Sequence, residues 1–293
     1  MKKYLYPDFL VKIINEKLNT YIKDYKTSPE ILRKAISYSL KNGGKRFRPV
    51  LCLAVAGSLG CSYEDVAPTA CAIELIHTYS LIHDDLPSID NDDLRRGKPT
   101  CHKIFGEDIA ILAGDALFAE AFNIILKYQQ SGSEKKIEVL AEIGQASGAL
   151  GMVAGQTVDV FYTGKEITRQ KLMYMHKNKT GKLIIAAARC GAILCNASQD
   201  HMNKFTRYAE NIGMAFQITD DILDVVSSSE DIGKTAGKDS LQNKNTFPSM
   251  FGMGKSRRIA EEKVSEAIDI VKSMKINGEW LIKIANFLLL RKC

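Results

Sequence analysis

Apolar residues recur at three- and four-residue steps along almost the whole chain, and this period decides the fold class. Ile73, Ile76, Tyr79 and Ile82 share one helical stripe, and so do Ile212, Ala215, Phe216 and Thr219. No segment alternates convincingly with the period of two that a strand requires. Gly and Pro fall between the periodic segments, at Pro29, Gly43-Gly44, Pro49, Pro68, Pro87, Pro99, Gly164 and the stretch from Gly233 to Pro248. The pattern predicts about ten helices, over residues 5–26, 29–41, 48–58, 64–84, 108–129, 134–160, 168–196, 200–227, 254–275 and 278–291. Ser28-Pro29-Glu30 and Thr168 carry helix-start chemistry. No linker or shift of composition divides the 293 residues, so one all-α domain spanning 1–293 is expected.

Composition removes several function classes. The seven cysteines, Cys52, Cys61, Cys71, Cys101, Cys190, Cys195 and Cys293, form no CxxC pair and lie mostly in apolar runs. They read as free thiols of a reducing cytoplasm. The N-terminal Met1-Lys2-Lys3-Tyr4-Leu5-Tyr6-Pro7-Asp8 lacks the apolar core of a signal peptide. The run 183–197 is interrupted by Arg189 and falls short of the roughly 20 residues of a membrane span. The net charge of +6 comes from lysines and arginines spread without basic runs, which argues against nucleic acid.

Two aspartate clusters each close a long apolar helix: Asp84-Asp85-Leu86-Pro87-Ser88-Ile89-Asp90 and Asp220-Asp221-Ile222-Leu223-Asp224. Carboxylates about 4 Å apart repel by roughly 4 kcal/mol at an effective dielectric of about 20, so each cluster calls for a cation. An all-oxygen donor set suits magnesium, which keeps waters and takes further ligands from phosphate. Asp220 and Asp224 stand one turn apart on the same helix face, with Asp221 turned about 100° away. In the first cluster Pro87 breaks the helix, so Asp90 has to reach back from a turn. Arg95-Arg96 follows directly, and arginine suits bidentate diphosphate contact.

The run from His83 through Arg95-Arg96-Gly97 resembles the trans-isoprenyl diphosphate synthases. Gly43-Gly44-Lys45-Arg46-Phe47-Arg48-Pro49 precedes it and Gly213-Met214-Ala215-Phe216-Gln217-Ile218-Thr219-Asp220 follows it, in the family's order. The bacterial farnesyl-forming subclass is the nearest match. The resemblance implies helices around a deep central cavity, with the two aspartate motifs facing each other across its mouth. It also implies three magnesium ions, with manganese as the substitute metal, and a homodimer. An allylic diphosphate would ionise, and isopentenyl diphosphate would attack the cation and lose a proton.

Roles carry over position by position from that resemblance. Asp84, Asp90, Asp220 and Asp224, with Asp85 in support, match the magnesium ligands. Lys45, Arg48, His77 and Arg96 match the isopentenyl diphosphate pocket, and Arg95, Lys179, Lys234 and Lys244 the allylic diphosphate contacts. Thr180 and Gln217 match neutral groups that stabilise the cation without trapping it. Tyr79 and Ser80, about a turn deeper than Asp84, match the floor that limits product length at fifteen carbons. A geranyl or geranylgeranyl product is the alternative. His83-Asp84 also fits an HD-type phosphohydrolase, which needs further metal-binding histidines that His77, His102, His176 and His201 do not supply in the required pattern.

Overall fold

The computed structural model describes residues 6–226 and 244–291. Fourteen α-helices build the described part: α1 Asp8–Ile22, α2 Glu30–Lys41, α3 Phe47–Ser58, α4 Tyr63–Asp84, α5 Cys101–Phe105, α6 Glu107–Tyr128, α7 Ser133–Ser147, α8 Met152–Tyr162, α9 Arg169–His176, α10 Lys182–Leu194, α11 Gln199–Val226, α12 Phe247–Phe251, α13 Met253–Lys272 and α14 Glu279–Leu290. The only sheet among the described residues is a hairpin of β1 Leu94–Arg95 and β2 Lys98–Pro99, paired antiparallel.

Helices α3 and α4 form the centre because they are apolar all round. Every residue of α3 from Phe47 to Ala56 is buried, and so is every residue of α4 from Val66 to Ile76. The Ser62 hydroxyl caps α4 by accepting from the Glu64 amide at 3.3 Å. Around this pair pack α1, α6 and α10, while α11 packs on α10 and α13. Helix α11, 28 residues and about 42 Å long, carries the second aspartate cluster near its C-terminus.

The predicted helices appear, together with α5 and α12, which were not predicted, and with three further differences. The helix expected over 134–160 breaks between α7 and α8, because Gly148 and Gly151 sit at the junction and a Cβ at Gly151 would strike the Ala146 carbonyl. The helix expected over 168–196 widens into a π-turn at Lys177–Gly181 between α9 and α10. The hairpin at 94–99 was not foreseen. Two-residue strands leave no alternation to read, and the turn depends on Arg96 and Gly97 both having positive φ, 55° and 75°.

The free-thiol expectation holds for Cys52, Cys71, Cys101 and Cys190, all buried. It does not hold for Cys61 and Cys195, which form a disulfide. The two cysteines are 134 residues apart in sequence, yet α3 and α10 pack side by side and bring their Cα atoms within 6.0 Å. Cys293 lies outside the described residues. By length and composition alone α6 and the stretch 133–162, which the sequence reading passed over, could cross a membrane. One side of α6 nevertheless packs on α4 through Ala113, Gly114, Leu117, Ala121 and Ile124. Elsewhere on its surface it exposes Ile111, Leu112 and Leu126.

Candidate active site

The helices enclose a cavity of about 1350 Å³ lined by residues from both aspartate clusters and by the predicted cations. Asp84 is the last residue of α4, and the chain then reverses: the Asp90 amide donates to the Asp84 carbonyl at 2.8 Å. That turn returns the Asp90 carboxylate to the same wall, where Lys244 binds it at 3.0 Å. Asp220 and Asp224 line the cavity from α11. Both clusters therefore sit at helix C-termini, where the helix dipole adds to the cost of negative charge.

Burial is the main reason that the Asp84 carboxyl is pushed up to about 6; Lys179 opposes the shift, and Asp90 adds to it. Asp84 is thus a carboxylate short of compensating charge, which is the condition a metal relieves. No three acidic, histidine or cysteine side chains form a metal-binding group among the described residues. Each cluster offers one or two carboxylate ligands. That donor set fits magnesium, whose shell is completed by water and substrate phosphate.

Asp85 departs from its predicted role. It does not line the cavity; its carboxylate is buried and held by the forked guanidinium of Arg95, which also reaches Asp92 at 3.3 Å. As the C-cap of α4 it points away from Asp84, and it fixes the hairpin that carries Arg95 and Arg96. Asp221 lines the cavity but is held by neighbouring groups of the chain. It accepts from the Gln217 amide at 2.8 Å and from the Phe247 backbone N–H at 2.9 Å. The Gln217 carbonyl in turn accepts from the Thr180 hydroxyl at 2.5 Å. Asp221 thereby sets the orientation of the two neutral groups that line the cavity.

Lys179 reaches the cavity from the π-turn and pairs with Asp159 of α8. Burial works against the Lys179 ammonium, but Asp159, Asp84 and Asp90 outweigh it and hold its pKa above the usual lysine value. Gly155 makes this geometry available, since any Cβ there would collide with the Lys179 backbone. Lys177 is exposed, as a surface charge should be. Lys234 lies outside the described residues.

A second group of cations occupies another part of the cavity. Lys45, Arg48, His77 and Arg96 line it, with Arg46 and Glu74 beside them. Arg48 is buried, its guanidinium 5.9 Å from the Phe216 ring centre, and its Nε has no hydrogen-bond partner among the described residues. The Arg96 guanidinium donates to the Gly43 carbonyl and lies flat against Gly44. Gly43-Gly44 is more than a helix stop. Gly44 has φ +112°, and a Cβ on it would occupy the position of the Arg96 guanidinium. Burial first, then Arg48 and Arg96, depress the His77 pKa well below the usual histidine value, so its imidazole is neutral at physiological pH.

Sequence reasoning missed Asp159, Glu74 and Phe216 as site residues, and it left the role of Arg291 open. Arg291 pairs with Asp220 at 2.7 Å and stacks 4.3 Å from the Phe216 ring centre. Asp159 is the lone acid of an apolar helix, a legible signal. Tyr79 lines the cavity and sets its ring edge on Phe118, 5.1 Å between centres, while the Ser80 hydroxyl is turned back to the His77 carbonyl at 2.9 Å.

A pH effect follows from Asp84. Its folded pKa lies above the unfolded value, so the metal-free fold binds the extra proton and loses stability as pH rises from about 4 to about 6. Magnesium held there would compete with that proton for one carboxylate. Saturating magnesium raises Tm by about 5 °C at about pH 7.5 and by almost nothing at about pH 5, as differential scanning calorimetry will show.

The polyprenyl synthetase family model matches residues 29–278. The chain is 45% identical over 282 residues to geranylgeranyl diphosphate synthase of Cyanophora paradoxa, covering 96% of this chain and 93% of that one. It is 39% identical over 282 residues to farnesyl diphosphate synthase of Bacillus subtilis, covering 96% and 95%. The geranyltransferase of Helicobacter pylori, solved with magnesium and isoprenyl diphosphate, superposes with a TM-score of 0.83 at 31% identity over 96% of each chain. A cavity lined by both aspartate clusters, in a chain matched over most of its length by this family model and these relatives, makes the chain a member of the polyprenyl synthetase family.

Proposed function

We propose that this prenyltransferase condenses isopentenyl diphosphate with dimethylallyl and then geranyl diphosphate, releasing farnesyl diphosphate and pyrophosphate. Asp84, Asp90, Asp220 and Asp224 are the residues that would hold magnesium, three ions in the reading adopted here. Bound there, the metal supplies positive charge where diphosphate charge develops. Arg95, Lys179 and Lys244 orient the allylic diphosphate on the same wall. Lys45, Arg48, Arg96 and neutral His77 hold the isopentenyl diphosphate.

The allylic C–O bond breaks with its electron pair leaving on pyrophosphate. The isopentenyl double bond then supplies the pair for the new C–C bond. The resulting tertiary cation loses a proton, for which the departing pyrophosphate is the base. Thr180 and Gln217 offer fixed neutral dipoles to the cation, and neither is a nucleophile strong enough to trap it.

Tyr79 carries the assignment of product length. It lies five residues before Asp84 on α4, about 7.5 Å deeper along the helix axis, and Phe118 backs its ring. A twenty-carbon product is the second reading, favoured by the 45% identity to a geranylgeranyl synthase. Incubating the protein with labelled isopentenyl diphosphate, dimethylallyl diphosphate and magnesium, then sizing the dephosphorylated products, decides between them. Fifteen carbons support the reading, and twenty overturn the length assignment alone. Homodimerisation through the exposed apolar side of α6 belongs to the same proposal and is tested by light scattering.

Gly44→Ala displaces Arg96 and raises the KM for isopentenyl diphosphate about tenfold, one lost charge-assisted contact, while the allylic KM stays within about twofold. Equal changes in both constants would show that Gly44 serves the fold rather than Arg96.

A further inference from the structure

Glu74 lies among the cations of the isopentenyl pocket, and the mechanism above gives it no task. It sits on α4, one turn before His77, and is 1% exposed. Its Oε1 accepts from the Arg46 guanidinium at 2.8 Å, while its Oε2 is buried without a hydrogen-bond partner among the described residues. Arg46 is fixed independently: it donates to Asn15 at 3.0 Å and to the Leu40 carbonyl at 2.5 Å, from a backbone with φ +50°. A buried carboxylate with one oxygen unused is expensive to keep in a fold. Its influence extends past Arg46, since its field favours the charged forms of Arg48 and Arg96 against the burial that opposes them.

Charge balance suggests why it is kept. Lys45, Arg46, Arg48 and Arg96 bring four cations to this part of the cavity, and Glu74 cancels one. Each cation that Glu74 offsets is one fewer to hold the about three negative charges of an alkyl diphosphate near neutral pH. In the proposed reaction the product keeps the diphosphate that the isopentenyl unit brought. After the first condensation that diphosphate must leave the cation pocket for the metal-bearing wall, or no second round can occur. A pocket with one more net positive charge would hold it too tightly.

We infer that Glu74 is a positioning residue that weakens the pocket's hold on diphosphate, so that each condensation product can release and move on. This rests on the function proposed above. Glu74→Gln keeps an oxygen for Arg46 and removes only the charge. Isothermal titration of the metal-free protein with isopentenyl diphosphate should show about tenfold tighter binding in Glu74→Gln, with kcat lowered several-fold and a product burst in the first turnover. Glu74→Asp keeps the charge and disturbs the geometry; it should bind within about twofold of the parent, and it carries the test if the Gln variant does not fold. Unchanged or weaker binding by Glu74→Gln, or strongly weakened binding by Glu74→Asp, overturns the inference and leaves a structural ion pair. Failure of the parent protein to bind isopentenyl diphosphate would overturn the proposed function instead.

Discussion

Replacing Asp84 with alanine lowers the rate of prenyl transfer by about a thousandfold, roughly 4 kcal/mol of transition-state stabilisation. In the proposed function Asp84 would offer a carboxylate to metal at the cavity wall, and without it the negative charge developing on the leaving diphosphate would be poorly matched. The same substitution should not lower the Tm of the metal-free protein. Burial raises the Asp84 pKa to about 6, so its ionised form is a cost to the metal-free fold above that pH. Steady-state turnover in saturating magnesium, paired with calorimetry in chelator, reads both effects. Near-normal turnover, or a fall in Tm that accounts for the lost activity, contradicts the assignment. Asp220→Ala should behave alike in turnover, but its pairing with Arg291 makes some loss of stability expected as well.

Tyr79→Ala changes what the enzyme makes more than how fast it works. The ring lines the cavity a little more than a turn of α4 from Asp84 and is backed by Phe118, so its removal opens space along α4 without touching a charge. On the proposed length assignment, products of twenty carbons and longer should replace the fifteen-carbon one as the main species, with kcat within about tenfold of the parent. Radiochromatography of the dephosphorylated products measures it. An unchanged product length would mean that the chain stops against another wall.

Much of this site was legible because its chemistry is local. The spacing of Asp220 and Asp224, the break at Pro87 and the pair Arg95-Arg96 are each contained within a few residues, and the folded chain carries them to one cavity. What was not legible depends on residues far apart in sequence. Lys179 meets Asp159 only because Gly155 lets α8 approach a π-turn, and a π-turn leaves no mark on a helical period. Glu74 looks like any polar residue of a helix until α3 and α4 pack together and place Arg46 against it. The family resemblance groups Asp85 with Asp84 in a supporting role, yet successive helical residues point about 100° apart, and Asp85 turns to Arg95. The disulfide of Cys61 and Cys195 was hidden for the same reason, since neither residue has a local partner.

Coupled measurement of pyrophosphate and prenyl product tests the central claim most directly. The protein is given geranyl diphosphate with isopentenyl diphosphate, in magnesium and in chelator. One pyrophosphate should appear for each new C–C bond in magnesium, and neither product in chelator. Pyrophosphate released without a longer prenyl chain, or condensation that continues in chelator, would contradict an account in which two carboxylate clusters and a separate cation pocket hold two diphosphates for one bond-forming step.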